Sequence, residues 1–117
     1  MKKVRRLLLV AMVLALAVCV QADVVTYESI TVAASSIGFT STTITPLGLP
    51  QKERCVGRLE TGEIRYRVDG TDPTTTEGIL VEPLEVIEIT RHEFLFKFRA
   101  IRTTATSGTL KFQCFDQ

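Results

Sequence analysis

The chain has 117 residues, with 14 Lys and Arg against 13 Asp and Glu, one His and no Trp. Removing residues 1–22 takes away Lys2, Lys3, Arg5 and Arg6 and no acid, leaving 10 basic and 13 acidic side chains, a formal charge of −3. A mildly acidic surface excludes the clustered positive face that nucleic-acid phosphates require, so no nucleic-acid partner is expected.

Residues 1–22 read as a cleavable signal peptide. A basic stretch, MKKVRR, precedes an uncharged run from Leu7 to Val20, and Val20-Gln21-Ala22 supplies small residues at the cleavage site ahead of Asp23. The run is shorter than the roughly 20 apolar residues a spanning helix needs, so no stable membrane span is expected. Two alternatives are an uncleaved anchor and a lipoprotein attached at Cys19, although Val18 is a poor residue before a lipidated cysteine. The expected location is therefore secreted or periplasmic, with a single domain over residues 23–117.

From Asp23 on, Thr, Val, Ile and Phe alternate with polar residues at period two, punctuated by Gly, Pro and Asp-Gly. Strands are expected at 24–33, 41–45, 53–60, 63–69, 78–81, 84–90, 93–102 and 109–115. Seven or eight short antiparallel strands make an all-β sandwich or barrel. Thr61-Gly62 reads as a tight hairpin, which would set Arg58 opposite Arg65 and Cys55 opposite Val68. In the segment 93–102, alternation puts Phe94, Phe96, Phe98 and Ala100 on one apolar side, a core stripe.

Two cysteines remain after the leader, Cys55 and Cys114, both on apolar strand faces. An oxidising compartment makes an even pair one disulfide, which disfavours free-thiol chemistry.

No catalytic constellation emerges. His92 is the only histidine and lies in a polar stretch between strands. No Gly-x-Ser-x-Gly elbow, zinc-type spacing or phosphate-cradling glycine loop is present, so no enzyme, cofactor or metal site is expected. Asp69, Asp72 and Glu77 fall in one loop, where turn chemistry accounts for them better than calcium. Glu82, Glu85 and Glu88 read as solvated charges. The candidate binding face is the outward arginine row Arg54, Arg58, Arg65 and Arg67, with Lys97 and Arg99 alongside. Interleaving by Glu60, Glu63 and Glu85 would neutralise it; otherwise it would take an acidic glycan or protein surface. Tyr27 is the one plausible sugar-stacking platform, since Tyr66 points inward.

Residues 63–74 (EIRYRVDGTDPT), 78–83 (GILVEP), 98–102 (FRAIR) and Ser107-Gly108 resemble the fibronectin III-like module at the C-terminus of chitobiase and related enzymes. The resemblance implies an immunoglobulin-like sandwich that is an accessory without catalytic residues. The whole segment after the leader also resembles small uncharacterised proteins encoded by bacteriophages, which implies a virion or surface-decoration role. The expected function is thus a non-enzymatic binding or structural module. The alternatives are a phage-derived structural protein, assembling as a homo-oligomer through sheet edges, and a glycan-binding accessory.

Overall fold

The structure, a computed structural model, describes residues 24–117, so the expected leader and Cys19 lie outside the described residues. Seven strands form two antiparallel sheets. They are β1 (Thr26–Val32), β2 (Arg54–Thr61), β3 (Ile64–Arg67), β4 (Ile79–Val81), β5 (Val86–Thr90), β6 (Arg99–Arg102) and β7 (Gly108–Phe115). The first sheet runs β1-β7-β2-β5 and the second β4-β3-β6. This is the expected all-β, sandwich-like architecture.

Period-two alternation builds each inner face, because successive side chains leave a strand on opposite sides. In the larger sheet Ile30 and Val32, Cys55 and Leu59, Ile87 and Ile89, and Leu110, Phe112 and Cys114 are buried. The smaller sheet contributes Ile64, Val81 and Ala100, and Phe98 precedes β6. Phe39, Phe98 and Phe112 meet with ring centroids 4.8–5.8 Å apart, and half-buried Tyr66 packs 5.7 Å from Phe98. Phe112 crosses the sheet directly over Gly57, where an added Cβ would lie 2.3 Å from the ring. Glycine at this strand interior makes room for the aromatic centre of the core.

Cys55 and Cys114 are direct neighbours on β2 and β7, Cα–Cα 4.0 Å, and are joined by a disulfide. The bond staples the two central strands of one sheet rather than bridging the two sheets. It closes a separation of 59 residues, worth about 4 kcal/mol on the chain-entropy view.

Three sequence expectations are corrected. Thr61-Gly62 is a corner and not a hairpin: β2 pairs with β5 and β7, whereas β3 pairs with β4 and β6. Gly62 has φ 74°, and an added Cβ would meet Ser107 O at 2.8 Å, so the chain switches sheets through a position only glycine fits comfortably. Arg58 consequently faces Val86 and Lys111, not Arg65, and Cys55 faces Cys114 and Ile89, not Val68.

Residues 93–97 are not strand. Arg91, at φ 74°, turns the chain into a short helix α2 (His92–Lys97), which carries it from β5 in one sheet to β6 in the other. The helix buries Leu95 and leaves Phe96 63% exposed, so the phenylalanine stripe is broken. Glu93 in its first turn and Lys97 in its last suit the helix dipole. The expected strand at 41–45 is likewise the helical turn α1 (Ser41–Ile44), which buries Ile44. Glu28 of β1 holds it: its carboxylate accepts Thr40 N–H at 2.9 Å and Thr43 Oγ1 at 2.6 Å. An acid thirteen residues upstream of Ser41 decides that local structure, by an interaction no local pattern could reveal.

Candidate functional site

The sheet switch at Gly62 divides the four arginines. Arg54 and Arg58 project from the outer face of the larger sheet, and Arg65 and Arg67 from the outer face of the smaller one. They do not form one continuous row.

The two sheets use the guanidinium groups differently. Arg65 donates to two carbonyls of the following loop, Thr75 O at 3.1 Å and Gly78 O at 2.8 Å, and so fastens residues 75–78 to β3. Arg67 forks onto the Asp69 carboxylate, which also accepts Thr71 N–H. The Arg67 hydrogen bond, followed by that of Thr71, lowers the Asp69 pKa from 3.8 to about 2. Arg99, the cross-strand neighbour of Arg67, donates to Phe98 O at 2.7 Å. Lys97 closes α2 and stands outside either arginine pair.

On the larger sheet Arg54 lies 3.7 Å from Glu88 and stacks 4.7 Å from the Phe115 ring centroid. Arg58 donates only to Leu84 O, at 3.1 Å, and makes no ion pair among the described residues. Its cross-strand neighbour is Lys111, which Glu60 partners at 3.3 Å. Both cations border a shallow depression of about 330 Å³ shared with Tyr27, Val56, Val86 and Gln113. Strand register explains the grouping: Tyr27, Gln113 and Val56 form one cross-strand row, and Lys111, Arg58 and Val86 the next. Tyr27 is 58% exposed. A flat aromatic, an amide and two cations therefore share one open surface, which can stack a ring and hold an anion beside it.

Lys111 and Gln113 lie outside the binding face expected from the sequence. Their signal was available, since they alternate with buried Leu110, Phe112 and Cys114; what was lacking was the neighbour relation between β7 and both β1 and β2.

Several other titratable groups are engaged by hydrogen bonds, while Asp116 Oδ1 is buried without a partner among the described residues. Asp72 accepts Ser36 Oγ at 2.8 Å, Glu63 accepts Thr103 Oγ1 at 2.6 Å, and Glu85 accepts Glu82 N–H at 3.3 Å. The two acids with arginine partners on the larger and smaller sheets are Glu88 and Asp69, rather than the Glu60, Glu63 and Glu85 expected from the sequence. His92 Nδ1 lies 3.0 Å from Lys52 O, and the His92 backbone N–H donates to Glu53, lowering that carboxyl's pKa with help from Gln51. Lys52 is fully buried and donates through Nζ to Val24 O. Burial raises the Tyr66 hydroxyl pKa. Among the described residues, no three His, Cys, Asp or Glu side chains converge as metal ligands, and no helix is long and apolar enough to cross a membrane.

No protein family, no curated protein and no solved structure matches the chain.

Proposed function

We propose that the protein is an exported, non-enzymatic binding module that takes an acidic glycan on the outer face of its larger sheet. The observation that carries this reading is Arg58, a cation without a carboxylate partner among the described residues, set beside Lys111 at the edge of the Tyr27 depression. A sugar ring stacks on Tyr27 while its carboxylate or sulfate meets Arg58 and Lys111, and Gln113 bonds a hydroxyl. Export is supported by the Cys55–Cys114 disulfide, a bond that persists in oxidising compartments.

The test is a titration of the protein with a uronate oligosaccharide, followed by amide chemical shifts. Movement centred on Tyr27, Val56, Arg58 and Gln113 is expected, with none for a neutral oligosaccharide of equal length. Arg58→Ser should reduce affinity at least about tenfold, the loss of one charged hydrogen bond. Arg65→Ser should leave it unchanged. Equal binding by Arg58→Ser and the parent protein would overturn the assignment.

A further inference from the structure

The four strands that end the two sheets are not equally protected. Edge strands expose unpaired N–H and C=O groups, and proteins blunt them by shortness, charge, proline, irregularity or cover. β4 has three residues and runs into Glu82-Pro83. β5 carries Glu88 and is bounded by Leu84 and Arg91, with φ of 76° and 74°. β6 is covered by residues 33–37: Ile37 and Ala100 exchange backbone bonds at 3.0 and 2.8 Å, and Arg102 N–H donates to Ala33 O at 3.0 Å.

Among the described residues the backbone edge of β1 carries none of these devices; the α1 turn meets the strand through the side chains of Thr26 and Glu28. It pairs with β7 over seven consecutive positions without a register shift. Its one charge, Glu28, is turned toward Thr40 and Thr43 and bonded there.

Which groups β1 leaves open follows from the ladder. Leu59 N–H donates to Glu85 O and Arg91 N–H to Glu53 O, so the odd-numbered residues of β2 bond toward β5. Arg54, Val56 and Arg58 therefore bond toward Phe115, Gln113 and Lys111 of β7. That leaves Leu110, Phe112 and Cys114 to bond Ile30, Glu28 and Thr26. Tyr27, Ser29 and Thr31 then direct both backbone groups away from the sheet, and no turn, loop or side-chain hydrogen bond among the described residues engages them.

We infer that β1 pairs with β1 of a second copy, antiparallel about Ser29, joining two four-stranded sheets into one. An antiparallel two-fold centred there sets Ser29 opposite Ser29 and Tyr27 opposite Thr31 of the second copy, each pair exchanging both backbone bonds. Aromatic against β-branched is a favourable cross-strand pair, and no like charges are opposed. The second copy is favoured over an unrelated strand because the sequence is self-complementary at this register. The contact is a small one, so association is reversible and concentration-dependent. It does not rest on the glycan reading, although Tyr27 belongs to both: the depression uses the outer side-chain face of β1, and the pairing uses its backbone edge.

The test uses the chain expressed with its own leader and purified, followed by sedimentation across a concentration series. The mass is expected to rise from monomer to dimer, and the Tyr27, Ser29 and Thr31 amides to exchange slowly in the concentrated sample and fast in the dilute one. Ser29→Lys sets two cations face to face on the two-fold, and Ser29→Pro removes an outward N–H that bonds nothing within the chain. Both should remain monomeric while keeping the parent's thermal midpoint in dilute solution. Ile79→Lys, on the β4 edge, should dimerise as the parent does. A parent chain that stays monomeric throughout would overturn the inference, as would a dimer that survives Ser29→Lys and Ser29→Pro.

Discussion

The outer faces of the two sheets carry the same residue type and put it to different uses. On the smaller sheet the guanidinium groups of Arg65, Arg67 and Arg99 are consumed by carbonyls and a carboxylate of the loop after β3 and of the residue before β6. On the larger sheet Arg54 is partnered by Glu88, while Arg58 stands beside Lys111 with no acid of its own among the described residues. Counting arginines therefore overstates the binding surface. The candidate cations are those bordering the Tyr27 depression, Arg58 and Lys111; Arg54 pairs within its own sheet, and Arg65 and Arg67 hold the loop after β3.

The contrast can be broken first at its largest support. Replacing both Cys55 and Cys114 with Ala is expected to cost about 4 kcal/mol, read from the denaturant midpoint, because the central β2–β7 pair of the larger sheet loses its staple. Reduction with a thiol should reproduce the loss, and an unchanged midpoint in both experiments would show the bond to be dispensable.

Next in size is Gly57→Val, expected to cost roughly 1–3 kcal/mol by forcing the Phe112 ring aside. Calorimetry of the oxidised protein checks it, and a neutral result would mean that the ring has space to move.

The arginines themselves give the sharpest comparison. Arg65→Ala should destabilise by roughly 1–2 kcal/mol, since it removes the donors to Thr75 and Gly78. Arg58→Ala should stay within about 0.5 kcal/mol. Loop amides at 75–78 should exchange faster in Arg65→Ala alone; the reverse ranking of the two variants would undo the division of roles.

The smallest effect is an acid one. Asp69 has its pKa lowered from 3.8 to about 2 in the folded protein, so its contribution is present above pH 4 and is lost as pH falls toward 2. A carboxyl carbon titration by NMR should show the low midpoint in the parent and a return toward the ordinary value in Arg67→Ala. An Asp69 that titrates normally in both would deny the Arg67 fork.

Period-two alternation alone was enough to mark most strands, their buried faces and the apolar setting of both cysteines, because burial of one face imposes that pattern on any half-exposed sheet. It also marked Tyr27 as an outward aromatic. Pairing was not legible. Residues 61–62 carry the composition of a hairpin, yet β3 lies in the second sheet, where Ile64 is buried and Tyr66 half-buried against the core, and Gly62 permits the corner. The segment 92–97 alternates like a strand, yet crossing between sheets there buries Leu95 and requires a compact connector. Local pattern thus determined which side chains face inward. Only tertiary structure decided which strands are neighbours, because neighbours are chosen by the whole core at once, and with them whether an arginine meets a carbonyl, a carboxylate or open solvent.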